Sequence, residues 1–230
     1  MYDLLRNLDR RWVFLLMGIA VAAGTRFFEE VAPRRFFIPN VVDADRFTPG
    51  PGLEALAGCE PWLVPRNIVF GRGIHLAVEA FARVARERPR ALLVVTGDCF
   101  EPRYAERMRA LVRERGVSGR VLFTGSVARP AMLDLYRSAA LTLIPSLCYE
   151  GTSLAALESM SAGTPVVGTT VGGLNDLPCV HAEPEAHSLA RAALEALERR
   201  PELAASQRLA VGERFDRKLW QAAWLKAVAA

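Results

Sequence analysis

Beyond residue 61 the chain alternates short apolar runs with longer amphipathic stretches. The runs cover 62–64, 91–96, 120–124, 141–144, 165–169 and, more weakly, 179–181. A short apolar run bounded by turn residues reads as a strand buried in a parallel sheet. Between the runs, helical patterns cover 74–86, 102–115, 130–139, 153–162 and 184–199. Six strands alternating with five helices predict an α/β fold, a doubly wound and mostly parallel sheet. Pro102, Pro130 and Pro184 sit near helix starts, where a missing N–H loses no bond, and Gly116 and Gly163 sit where helices should stop.

The flanks differ. Residues 1–41 read as a helix, a strand over 18–21, a short helix near 25–31 and a strand over 35–38, after which Pro39 opens a loop running past Pro49 and Pro51. The apolar run 12–23 lies between Arg10–Arg11 and Arg26 and is too short to span a bilayer, which takes about 20 residues. Ala20-Val21-Ala22 imitates a signal-peptide cleavage site, but Asp3 and Asp9 oppose that reading and the run is expected to be a buried strand. Such a segment cannot bury its own apolar faces, so it is expected to end a larger domain or to pack on the remainder. The stretch 201–230 is predicted helical, with Phe215, Trp220 and Trp224 as anchors. The expected organisation is therefore 1–41, 42–200 and 201–230.

Composition narrows the class. With 51% hydrophobic residues in 230, the chain can bury a core without staples. Its 17 Gly and 14 Pro break any long heptad pattern. The net charge of +4 arises from 27 Arg interleaved with 25 acidic residues, which suits small anionic ligands and not nucleic acid. Lysine occurs only at 218 and 226, which denies the middle of the chain a Walker-type or Schiff-base lysine. Cys59, Cys99, Cys148 and Cys179 form no close pair and read as isolated buried thiols of a reducing compartment. The three histidines form no ligand cluster, and no metal site is expected.

In open α/β sheets ligands bind beyond the carboxyl ends of the strands. The richest loop there follows 141–144 and runs from Pro145 through Glu150, Gly151, Thr152, Ser153 and Leu154 into a helix carrying Glu158. Gly151 permits close backbone approach, and Thr152 and Ser153 mark a helix N-terminus suited to an anion such as a diphosphate. Glu158 lies about two turns along, near the same face, so each carboxylate could hold sugar hydroxyls at a different place. Equally, Glu150 could cap the helix and Glu158 could be solvated. A second loop places Arg66 and Arg72 near the top of the sheet, where guanidiniums suit phosphate oxygens; surface salt bridges are the alternative. Gly71-Arg72-Gly73 lacks the third glycine of a dinucleotide fingerprint. Gly172-Gly173, Gly97-Asp98 and Gly125-Ser126-Val127 complete the rim.

Taken in order, Ile38-Pro39-Asn40-Val41-Val42-Asp43, Arg46-Phe47, Arg66, Arg72-Gly73, Gly97-Asp98, Glu150-Gly151, Glu158 through Val167, and Gly172-Gly173 resemble the C-terminal nucleotide-sugar domain of the retaining glycosyltransferases of family 4, of the GT-B fold. The resemblance covers residues 38 to about 180, and the two glutamates with seven residues between them are its defining element. It implies a Rossmann-like donor domain in which Glu150 contacts the donor sugar. Arg66, Arg72 and the backbone of Gly151, Thr152, Ser153 and Leu154 would hold the diphosphate, with Glu158 on the ribose and Gly97 and Val127 by the nucleobase. It further implies transfer from a nucleotide diphosphate sugar with retention, no cofactor and no divalent metal. The acceptor is an unnamed glycan, lipid or small molecule, and the setting is cytoplasmic, including the inner membrane face, in cell-envelope polysaccharide synthesis.

The sequence departs from the family pattern in three ways. Arg72 stands for the usual lysine, six residues after Arg66 where five is common, which keeps the charge and shifts the loop. Thr152-Ser153 replaces an aromatic-glycine pair on the sugar side. The acceptor-binding domain is expected from a longer protein or a partner chain, and the alternative expectation is a non-catalytic nucleotide-sugar binding module.

Overall fold

The structure, a computed structural model, describes residues 38–229 other than Tyr149. The two helices and the strand over 18–21 expected within 1–37, and the strand expected over 35–38 save residue 38, lie outside the described residues. The strands are β1 (Glu60–Pro65), β2 (Ala91–Thr96), β3 (Val121–Gly125), β4 (Leu141–Ile144), β5 (Val166–Thr169) and β6 (Val180–Ala182). The helices are α1 (Ile74–Val84), α2 (Pro102–Glu114), α3 (Arg129–Ser138), α4 (Leu154–Ser161), α5 (Ala186–Glu198), α6 (Arg200–Arg214) and α7 (Arg217–Ala229). All six strands pair in parallel, in the order β3-β2-β1-β4-β5-β6. The α/β, doubly wound architecture is thus the one the hydrophobic pattern predicts.

Alternation along each strand builds two cores. Trp62, Val64, Leu93, Val95, Leu141, Leu143 and Val167 face one side, where α1, α2 and α5 cover them. Leu63, Val94, Ile144 and Val166 face the other, against α3, α4 and the end of α6. Burial on both sides is why these strands are continuous apolar runs. The edge strands are more open: Leu122 on β3 and His181 on β6 are exposed.

The segment around Val42 and Phe47 is buried on the second side, although no helix or strand carries it. Val42 N–H donates to the Phe215 carbonyl, Phe47 packs edge-on to Tyr136, and the Ser161 hydroxyl donates to the Phe47 carbonyl. The predicted helical tail is two helices, because the chain breaks at Phe215 and Asp216 Oδ1 accepts the Lys218 N–H. Gln207 joins α6 to the sheet by bonding both the N–H and the carbonyl of Val166. Phe215 is a buried anchor, whereas Trp220 is half-buried and stacks edge-on with Trp224.

One expectation fails. Cys59, Cys99 and Cys148 are exposed and only Cys179 is buried, because the first three fall in turns and loops and the fourth leads into β6 under α4 and its neighbours.

Candidate functional site

Chain order reverses between β1 and β4, which sit side by side at the middle of the sheet. At such a switch point the loops leaving the two strands run apart and open a crevice at their carboxyl ends. The loops after β1 and β4 are the two that sequence singles out by their chemistry. They frame a cleft of about 650 Å³ lined by Arg66, Arg72, Glu150 and Glu158 among others.

Two glycines let the loops close on each other. Gly73 caps α1 at φ +67°, and a Cβ there would lie 1.8 Å from the Pro145 carbonyl oxygen. Leu147 N–H donates to the Gly71 carbonyl in the same seam. Gly173 N–H donates to the Glu150 carbonyl, and a Cβ on Gly173 would lie 2.8 Å from the Gly151 carbonyl carbon. The close approach that the glycine pair 172–173 allows is therefore to the chain's own loop.

Within that frame Glu150 is the hub. Arg66 Nη2 lies 2.6 Å from Glu150 Oε1, Arg72 Nη1 lies 3.2 Å from the same oxygen, and the Ser146 hydroxyl donates to Oε2. Arg66 and Glu150 are 9% and 8% exposed, so solvent screens this group little. Burial pulls the Arg66 guanidinium below its ordinary range and Glu150 opposes that pull. Arg66 Nη2 also donates to Ser153 Oγ at 2.8 Å, while its Nε is buried without a hydrogen bond. Two guanidiniums against one carboxylate leave a net positive charge at the base of the cleft.

Ser153 begins α4 in extended conformation, and its hydroxyl accepts the Ala156 N–H. It is the helix cap, so Glu150 does not fill that role. The amides of the first turn of α4 have no acceptors inside the helix and carry partial positive charge. Leu154 and Ala155 line the cleft at this end, and Asn40 reaches over to donate to the Thr152 carbonyl.

Glu158 closes the far wall. It is 12% exposed, with Tyr136 Oη donating to Oε2 at 3.1 Å and Arg129 Nη2 donating to Oε1 at 3.2 Å. Burial raises its pKa, while Tyr136 and Arg129 act to lower it. Burial, then the neighbouring Glu158, hold the Tyr136 hydroxyl well above its ordinary range. Glu158 is thus neither solvated nor free to turn.

Of the residues picked from sequence, Arg66, Arg72, Val127, Glu150, Gly151, Thr152, Ser153, Leu154 and Glu158 line one cleft. Gly97 is not among the lining residues; at φ +151° its α-carbon packs on the Arg66 backbone, where a Cβ would sit 2.5 Å from the carbonyl oxygen. Arg129, Met132 and Ala155 line it without being picked from sequence, as does Asn40, which the sequence offers only as part of the 38–43 motif. For Arg129 a signal existed, since it directly precedes Pro130 at a helix start beyond a strand's carboxyl end. For Tyr136 none did, because its partner is set by how α3 packs on α4.

The sequence profile of the family described as glycosyl transferases group 1 matches residues 67–199, more than half of the chain. A D-inositol 3-phosphate glycosyltransferase from Mycobacterium sp. (strain JLS) is 37% identical over 139 residues, covering 58% of this chain and 31% of that protein. The chain spans between about a quarter and two fifths of the length of the curated relatives it matches. Among solved structures, Anabaena HepE in complex with UDP and glucose superposes with a TM-score of 0.82 at 20% identity, over 99% of this chain and 66% of that one. The C-terminal domain of the glycosyl transferase group 1 protein LpcC from Francisella tularensis superposes with a TM-score of 0.68 at 20% identity, over 76% of this chain and 99% of that domain. With the fold, the switch-point cleft and the profile in agreement, the chain belongs to the family of glycosyl transferases group 1.

Proposed function

We propose that the chain is the donor-binding half of a retaining, metal-independent glycosyltransferase of family 4, which moves a sugar from a nucleotide diphosphate sugar to an acceptor hydroxyl. The observation that carries this reading is the charge arrangement between β1 and β4: two guanidiniums and a helix N-terminus at one end of the cleft, and a restrained carboxylate at the other. A diphosphate suits the first end, where Arg66, Arg72 and the amides of α4 offer donors to its oxygens. A ribose diol suits Glu158. One nucleotide sugar would reach both ends, with Glu150 beside the sugar.

In this reading the bond between the anomeric carbon and the β-phosphate oxygen breaks, and the negative charge that develops on the departing diphosphate is met by fixed cations and N–H dipoles. The acceptor oxygen bonds to the same face of the sugar, and its proton passes to the departing phosphate. No divalent cation is needed to neutralise the leaving group, since Arg66, Arg72 and the start of α4 occupy that role. That the Anabaena neighbour is a complex with UDP and glucose agrees with a nucleotide-sugar donor. The acceptor, and the cytoplasmic, cell-envelope setting that the resemblance implies, belong to the same proposal. Among the described residues no helix is long and apolar enough to cross a membrane.

Calorimetric titration with a nucleotide sugar in EDTA and again in excess magnesium tests the metal-independent part. Equal affinities are expected; binding only with magnesium would overturn it. Retention is tested by the anomeric configuration of the product of the longer protein, read by NMR, and an inverted product would refute it.

A further inference from the structure

Glu158 is held at both carboxylate oxygens by groups on α3. Tyr136, 1% exposed, supplies a hydroxyl to Oε2, and Arg129, with 68% of its side chain exposed, supplies Nη2 to Oε1. An ionised carboxylate has about four acceptor sites, two on each oxygen. One bond to each oxygen therefore leaves an acceptor open on each, on a carboxylate whose orientation is held from both oxygens. A pair of adjacent acceptors is the complement of a pair of adjacent hydroxyls. A glutamate on a bare helix face would instead lose rotamer freedom when it took hold of such a diol. Arg129 reaches Glu158 from the cleft rim, at the first residue of α3, so it can be altered without opening the core.

We infer that Arg129 is a positioning residue of the donor site, which with Tyr136 fixes the Glu158 carboxylate to receive the vicinal diol of the nucleoside. This rests on the donor-site reading above. The charged and titratable groups around Glu158 are Tyr136 and Arg129 on α3 and Arg46 on the segment before Phe47, with Arg66 acting on Tyr136. Burial raises the Glu158 pKa and Arg129 opposes that, so removing Arg129 moves protonation of Glu158 to higher pH. A protonated carboxyl keeps one oxygen as a donor and no longer presents two matched acceptors.

The test titrates the chain and its Arg129→Ala, Arg129→Lys and Glu158→Gln variants with UDP, GDP and ADP and with their 2′-deoxy counterparts, from about pH 5 to pH 8. Arg129→Ala should weaken the bound ribonucleotide about threefold at neutral pH, as befits a partly exposed ion pair. The loss should grow on the acid side, where the midpoint of the affinity profile moves up. Arg129→Ala should change 2′-deoxy affinity little, and Arg129→Lys should recover part of the loss. A merely structural role would move neither the midpoint nor the ribo-to-deoxy ratio. If Glu158→Gln weakens binding while Arg129→Ala leaves midpoint and ratio unchanged, or tightens binding, the inference is wrong and the donor site stands. If Glu158→Gln binds like the parent, or none of the three nucleotides binds, the donor-site reading fails and the inference with it.

Discussion

The pair Arg66–Glu150 offers the sharpest energetic prediction. Both side chains are more than nine-tenths buried and their charged atoms lie 2.6 Å apart. Removing one member of a buried pair strands the other, at a cost of about 3–5 kcal/mol. Here the cost should fall at the low end, about 3 kcal/mol, because Arg72 stays 3.2 Å from Glu150 Oε1 and is itself partly exposed. Arg66→Met should therefore lower the melting temperature by about 6–12 °C. Glu150→Gln should cost a similar amount, since it leaves the buried Arg66 guanidinium facing a neutral amide in place of a carboxylate. The double variant strands neither charge, so it should cost about as much as one single change, a coupling of about 2–3 kcal/mol. Equilibrium urea unfolding of the four proteins measures each value. Additivity within about 0.5 kcal/mol would refute the claim that these two charges are solved together in the interior.

Three further outcomes follow from the same geometry. Gly73→Ala forces a Cβ to within 1.8 Å of the Pro145 carbonyl at φ +67°, so it should destabilise by more than about 3 kcal/mol and weaken nucleotide binding. Gly116→Ala, at φ +70° with open space around it, should cost only about 1–2 kcal/mol and leave binding intact; equal losses in thermal melts would contradict the seam between the two loops. Thiol titration of the native chain at pH 8 should find Cys59, Cys99 and Cys148 reactive, with Cys179, pushed up to about 12 by burial, appearing only after denaturation. Affinity for a nucleotide diphosphate sugar, which lacks the terminal phosphate ionisation of a free nucleotide, should fall as pH drops through the raised pKa of Glu158, because protonation removes an acceptor, and Glu158→Gln should abolish that slope; a slope that persists in Glu158→Gln would assign the titration elsewhere.

Much of this fold is legible along the chain. The runs at 91–96 and 141–144 coincide with β2 and β4, because strands buried on both sides are apolar at nearly every position; the exceptions, Thr96 and Thr142, have their hydroxyls hydrogen-bonded. Helix starts at Ile74 and Pro102 were fixed by glycine and proline, whose backbone limits act locally. The tail break at Phe215 was not legible, since it depends on pairing with Val42 far away in sequence. At the site the same division holds. Loops carrying Arg66 and Glu150 are conspicuous by their chemistry, yet nothing in the spacing says that the two side chains meet. That contact, like Tyr136 on Glu158, follows from strand order, which local pattern does not encode. Gly97, which the resemblance puts by the nucleobase, also packs its α-carbon on the Arg66 backbone, a contact that spacing alone does not show.

The donor site is tested most directly by calorimetric titration of the chain with UDP, GDP and ADP and their glucose or mannose conjugates, in EDTA, alongside Glu158→Ala. Saturable binding with a preference for one base is expected, lost or sharply weakened in the variant. Absence of binding to all of them, or binding indifferent to Glu158, would contradict a donor site between β1 and β4.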